Sequence, residues 1–197
     1  MKIAIVGAPS CRKSTTADQV NVMLKTQKYN SAVCEEYART YILRYGPMTV
    51  AHEQLIVLLK QVEKEEELSK VHDIVICDTA SWLSYIYCSM LLRQTNEFTS
   101  IKGRKLLGEI HKRLLRVLHT YDLTFYMPIQ ESVVKDGVRV QTDEDRIIID
   151  NKIKGFMSLH DIPYTWLTGP VEEKADYMLG VILDKKGDIA FNSRVSL

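Results

Sequence analysis

An apolar run, Lys2 to Val6, leads straight into Gly7-Ala8-Pro9-Ser10-Cys11-Arg12-Lys13-Ser14, and this junction constrains the fold more than any other segment. A phosphate-binding loop asks for Gly, four free residues, Gly, Lys, then Ser or Thr, set between a strand and a helix. In such a loop successive backbone N–H groups wrap a phosphate, the lysine reaches the β and γ phosphates, and the hydroxyl holds Mg²⁺. Every fixed position is met except one, where Arg12 stands for the second glycine. The flanks fit the requirement. Lys2 to Val6 reads as a short buried strand, and Ser14 to Lys28 as a helix with Ala17, Val20, Met23 and Leu24 near helical spacing. The expected nucleotide-binding residues are therefore Gly7, Ala8, Pro9, Ser10, Cys11, Arg12, Lys13, Ser14 and Thr15. Arg12 places a side chain where backbone normally approaches the phosphate most closely. It points outward, adds a cation beside the nucleotide, or weakens binding.

Four further runs rich in β-branched and aromatic residues read as strands: Ser31 to Cys34, Ile74 to Cys77, Leu123 to Met127 and Tyr164 to Leu167. Each is followed by a helical or loop segment. That alternation predicts an α/β fold with a parallel sheet covered on both faces, and right-handed crossovers then gather the strand C-termini along one ligand-binding edge. Glu35 and Glu36, Asp78 and Thr79, Pro128 to Arg139, and Thr168-Gly169 should join the phosphate loop there. Val50 to Lys70 reads as a long solvated surface helix carrying Glu63, Glu65, Glu66 and Glu67. Ala80 to Leu92 reads as an unusually apolar helix, with Trp82, Tyr85, Tyr87 and Met90 either buried, lining an acceptor pocket, or forming a homo-oligomer contact.

Asp78 ends a strand-like run as a metal-holding carboxylate beside a phosphate loop does, with Ser14 as the second metal ligand. Its alternative role is the N-cap of the next helix. Glu36-Tyr37-Ala38-Arg39 follows the second strand and joins a carboxylate to a cation one helical turn on. Glu36 suits the base for an acceptor hydroxyl and Arg39 a clamp on acceptor or phosphate charge, the alternative being an intrahelical ion pair. The polar stretch Gln130 to Arg146 turns at Asp136-Gly137 and enters a helix near Asp143. It reads as a lid over about 130–142 bringing Lys135, Arg139 and Arg146 to a transferring phosphoryl group, or as a surface hairpin.

At 197 residues the chain suits one domain, expected over 1–183 with a loosely held tail over 184–197. Its 26 basic and 25 acidic residues give no global attraction to polyanions. Locally, Lys102, Arg104, Lys105, Lys112, Arg113 and Arg116 form a basic face on a helix whose apolar face is Leu106, Leu107, Ile110, Leu114 and Leu115. That face is either solvated or a guide for DNA. Cys11, Cys34, Cys77 and Cys88 form no CxxC pair and read as buried free thiols of a reducing compartment. The histidines have no metal-ligand spacing with them. With no signal segment or apolar span long enough for a bilayer, a cytoplasmic protein without a membrane partner is expected.

The loop, Glu36-Tyr37-Ala38-Arg39, Asp78-Thr79, and Asp136-Gly137-Val138-Arg139 before Thr142-Asp143-Glu144-Asp145 together resemble the NadR-like P-loop kinases, the ATPase/kinase domains that include bacterial nicotinamide riboside kinase domains. The resemblance covers about Met1 to Leu183. It implies a P-loop NTPase fold with a five-stranded parallel sheet, ATP with Mg²⁺, and γ-phosphate transfer to a hydroxyl of a nucleoside-like acceptor. Carried over, Lys13 and Ser14 serve phosphate and metal, Asp78 metal or acceptor, Glu36 and Arg39 the acceptor, and Arg139 and Arg146 the lid. Three readings follow: a kinase of nicotinamide riboside or another nucleoside, a kinase of a hydroxymethylated base or sugar hydroxyl in DNA, and a nucleotide-binding switch or weak ATPase whose loop Arg12 has altered.

Overall fold

The computed structural model describes residues 1–130 and 142–187. Among the described residues the five strands are β1 (Lys2–Val6), β2 (Ser31–Cys34), β3 (Ile74–Cys77), β4 (Leu123–Tyr126) and β5 (Thr165–Trp166). They form a parallel sheet in the order β2-β3-β1-β4-β5. The expected sheet is present, with β4 one residue shorter than its apolar run and β5 reduced to the middle of its own.

Among the described residues seven α-helices connect or follow the strands: α1 (Lys13–Thr26), α2 (Tyr37–Tyr45), α3 (Glu53–Val71), α4 (Leu83–Gln94), α5 (Ile101–Val117), α6 (Asp143–Leu159) and α7 (Val171–Lys186). Alternate residues of β1 point to opposite faces, as strand geometry requires. Ile3 and Ile5 pack with Ala17, Val20 and Leu24 of α1 and Met178 and Ile182 of α7. Ala4 and Val6 pack with Leu83 and Ile86 of α4 and Ile149, Ile153 and Phe156 of α6. A central strand buried on both sides has no position for a polar residue, hence the unbroken apolar run. Each of the fully buried Val, Leu, Ile and Met side chains among these contributes about 1.5–3 kcal/mol relative to exposure.

Strand order places the site. The loop after β1 leads to the α1/α7 face, whereas that after the neighbouring strand β3 leads to the α4/α6 face. Diverging connections at adjacent parallel strands open a crevice at their C-terminal ends, the switch point of such sheets.

Four expectations need correction or limits. The second half of α3 is not simply a solvated face, because Gln61 and Glu65 are buried against the sheet. Leu115, assigned to the apolar face of α5, is exposed, whereas Ile110 and Leu114 are buried as expected. Helix α7 runs to Lys186 and is closed by Gly187 at φ 80°, so Asp184 to Lys186 belong to it. The remainder of the expected tail, and the lid residues 131–141 with Lys135 and Arg139, lie outside the described residues.

Candidate active site

The loop after β1 takes its shape from close packing. A Cβ on Gly7 (φ 155°) would stand 2.3 Å from the Met127 carbonyl oxygen, so only glycine lets the loop leave the sheet beside β4. Ser10 and Arg12 are left-handed at φ 61° and 63°. Arg12 is the N-cap of α1, and its carbonyl accepts from Thr16 N and Thr16 Oγ1, both at 3.0 Å. The backbone thus keeps a left-handed conformation at the position where the motif has glycine, although an L-residue costs about 1–2 kcal/mol there. The Arg12 side chain is exposed.

Lys13 is buried, and its ammonium donates to the carbonyls of Gly7 at 3.0 Å and Ala8 at 2.9 Å. Ser14 Oγ donates to Asp78 Oδ2 at 2.5 Å, joining the loop after β1 to the end of β3 across the crevice. Asp78 is buried and lies five residues before the start of α4, so it does not cap that helix. A hydroxyl and a carboxylate in contact beside a phosphate loop are hard oxygen donors of the kind Mg²⁺ takes. The donor set fits that ion. Thr15 lies exposed on the first turn of α1.

Arg146 is fixed in α6 rather than carried by a mobile loop. Thr142 and Asp145 form a reciprocal capping box that starts α6, and their mutual hydrogen bonds hold the Asp145 carboxyl below its usual range. One residue later Arg146, 1% exposed, donates Nε to the Pro9 carbonyl at 2.8 Å and pairs with Asp143 at 2.8 Å. It supports the outer side of the phosphate loop.

A cavity of about 290 Å³ opens from this loop and is lined by Gly7, Pro9 and Lys13. Glu36, Arg39 and Ile42 enter its wall from the start and inner face of α2, and Thr79 from the end of β3. Glu35 takes the other direction, exposed and 3.5 Å from Lys64. Of the aromatic and Met residues expected in α4, Tyr87 and Met90 line the cavity, while Trp82 is fully buried and stacked on Phe156 at 4.8 Å.

The sequence reading missed Met48 and Gln54. Gln54 is buried in the first turn of α3, lines the cavity and places its amide nitrogen 3.2 Å from Met48 Sδ. A glutamine at helical spacing between apolar residues carries no signal of its own. Only the packing of α2 over α3 shows that it faces a cavity. None of residues 102–116 lines it. Arg113 and Arg116 flank a second hollow with Met1, Lys2 and Asp122, at the opposite edge of the sheet where β1 and β4 begin.

Strand, glycine-initiated loop and helix, with a buried lysine and a serine–aspartate bridge at the switch point, define a protein of the P-loop NTPase fold. A family model described as an AAA domain matches residues 2–174. The chain belongs to that family, the NadR-like group of P-loop domains that its motifs resemble. The NadR protein solved in complex with NAD and AMP-PNP is similar at a TM-score of 0.71 and 14% identity, over 100% of this chain and 51% of that one. This chain thus spans about half the length of that protein. Deoxyadenosine kinase from M. mycoides, solved with the products dCMP and a flexible dCDP, gives 0.61 at 16% identity, over 96% of this chain and 100% of its own. The dATP-bound form of that kinase gives 0.59 at 16% identity, over 95% and 99%. At such identities the likeness is one of fold. No curated protein matches the chain in sequence.

Proposed function

We propose that this protein is an ATP-dependent kinase that transfers the γ-phosphate of ATP to a hydroxyl of a nucleoside-like acceptor, nicotinamide riboside or another nucleoside. The observation that carries this reading is a single cavity lined both by Gly7 and Lys13 of the phosphate loop and by Glu36, Arg39, Gln54 and Tyr87 of the acceptor-side helices. At about 290 Å³ it lies at the small end of ligand pockets, a size suited to a free small acceptor. The AMP-PNP held by NadR and the nucleotides held by deoxyadenosine kinase accord with the same reading.

In this mechanism the loop N–H groups and Lys13 hold the phosphates of ATP. Ser14 and Asp78 would hold Mg²⁺, which would supply positive charge against that of the phosphates. Glu36 takes the proton of the acceptor hydroxyl as its oxygen bonds to the γ-phosphorus, and the bond to the departing ADP oxygen breaks. Arg39 fixes the acceptor. Arg139, outside the described residues, is assigned to the charge on the transferring group, and Arg146 to the shape of the loop.

Transfer to a hydroxyl within DNA is less favoured, because no residue of the basic segment 102–116 lines the cavity. We place the protein in the cytoplasm, where ATP is available and its four buried free thiols stay reduced. No helix among the described residues is long and apolar enough to cross a membrane.

The test is incubation with γ-labelled ATP and Mg²⁺ against nicotinamide riboside, common nucleosides and hydroxymethylated DNA, with Lys13→Ala as control. Label on a free nucleoside, absent in the control, is expected. Label on DNA alone, or nucleotide binding with no transfer to any acceptor, overturns the reading and favours the polymer kinase or the switch respectively.

A further inference from the structure

Glu65 is fully buried in the middle of a helix whose neighbouring carboxylates, Glu63, Glu66 and Glu67, are exposed. Burying an ionised group carries a penalty of several kcal/mol unless partners repay it, so its position asks for a reason. Its contacts trace a connected polar cluster across the sheet. Lys2 at the start of β1 places its ammonium 3.1 Å from Glu65 Oε2 and 4.5 Å over the Tyr121 ring. The Tyr121 hydroxyl, 3.0 Å from both Glu65 oxygens, donates to the carboxylate. The same hydroxyl oxygen accepts from Ser81 N at 2.8 Å and meets Ser81 Oγ at 2.9 Å. One turn earlier on α3, Gln61 accepts from Tyr37 N at 2.8 Å through Oε1 and reaches Cys34 Sγ at 3.3 Å through Nε2, and its amide is among the groups that favour the charged form of Glu65.

The two backbone donors that end in this cluster occupy telling places. Ser81 lies three residues after Asp78, in the turn before α4, and Tyr37 directly follows Glu36. Near the strands these segments are joined by the parallel ladder and by Asp78 N donating to Cys34 O at 3.0 Å. Beyond that rung the chains diverge, one into α2 and the other toward α4, and the cluster ties both to one rigid point on α3.

We infer that Glu65, with Gln61 and Tyr121, is a positioning device that sets the Glu36 segment against the Asp78 segment, and through them the acceptor against the metal-bearing side of the cavity. The role of the device in transfer rests on the kinase reading above; its role in geometry does not. None of the three residues lines the cavity, so each acts through the segments it holds, at Tyr37, Cys34 and Ser81. In-line transfer is sensitive to displacements of about 1 Å, which makes kcat the quantity to follow.

The test uses the full chain with Tyr121→Phe, Gln61→Leu, Glu65→Leu and the conservative Glu65→Gln, which keeps an acceptor for the Tyr121 hydroxyl. Amide hydrogen exchange at Tyr37 and Ser81 is measured beside steady-state kinetics. Expected are exchange at Ser81 faster by about tenfold in Tyr121→Phe, and the same at Tyr37 in Gln61→Leu. Glu65→Leu should accelerate both and lower kcat by about 10-fold to 100-fold with KM for ATP unchanged. Glu65→Gln should stay within about threefold of wild type, because the bond to Tyr121 is retained. Variants that lose thermal stability while leaving both amides and kcat unchanged overturn the inference, as does a Glu65→Gln variant no better than Glu65→Leu. Should Glu65→Leu fail to fold, Tyr121→Phe and Glu65→Gln decide alone. If the wild type transfers phosphate to nothing, the kinase reading has failed and the two amides still judge the cluster.

Discussion

Arg146 and Pro9, 137 positions apart, are joined by a 2.8 Å hydrogen bond from the buried guanidinium Nε to the loop carbonyl. The same guanidinium is paired with Asp143 one turn away on α6, so the first turn of that helix and the phosphate loop move as one body. Arg146→Lys keeps the charge but loses the fork that serves both partners. The expected outcome is a loss of about 2 kcal/mol in urea unfolding and weaker nucleotide binding by titration calorimetry. Unchanged affinity would show that the loop holds its shape without α6.

Arg12 separates a backbone effect from a side-chain effect. Arg12→Gly should raise stability by about 1 kcal/mol, because glycine adopts φ 63° without the Cβ penalty, whereas Arg12→Ala should not. If the exposed guanidinium contributes to nucleotide affinity, both variants lose it together. If the loop is impaired by its arginine, the glycine variant alone gains in kcat/KM for ATP.

Asp78→Asn removes the acceptor charge opposite Ser14 while nearly preserving shape. ADP binding should lose its dependence on Mg²⁺, and transfer should fall by about 100-fold or more. A variant that binds ADP more tightly with Mg²⁺ than without it, as wild type should, would show that the metal lies elsewhere.

Two groups make stability depend on pH in opposite windows. Burial chiefly, opposed by Lys2, raises the Glu65 carboxyl above its usual 4.5. The folded state then holds the proton more tightly than the unfolded chain. The stability this supplies is full below pH 4.5 and is lost as pH rises through the folded value. Burial first, then His111 and His119, lower His160 below 6.5. Its contribution is present above pH 6.5 and is lost as pH falls through the folded value. Melting temperatures of Glu65→Gln and His160→Gln across pH 4–8 should each flatten one limb of the wild-type profile, and a profile unchanged in both would contradict the assignments.

The sequence carried the sheet because its three central strands, β3, β1 and β4, are buried on both faces, and local β-branched content is then a sufficient signal. The start of α6 near Asp143 was legible as well, where the polar stretch gives way to a helix. Glu65 could not be read in the same way, since Lys2 and Tyr121 lie 63 and 56 residues from it and become neighbours only when β1 and the approach to β4 pass beneath α3. Gln54 and Met48 were hidden for a related reason, because a cavity between α2, α3 and α4 is a property of their packing rather than of any one pattern. Glu36 and Arg39, a helical turn apart on one face, were visible, and both line the cavity.

Helix α2 carries Arg39 and Ile42 into the cavity, yet none of its nine residues is buried. It is succeeded by Gly46 at φ 87°, whose Cβ position is open, and by Pro47. The part of the cavity wall that carries Arg39 and Ile42 is thus a removable panel on a load frame built elsewhere. Substitutions along Tyr37–Tyr45 can retune what the cavity accepts without entering the core, so this is the stretch where a library of variants would change preference before it exhausted the fold's tolerance.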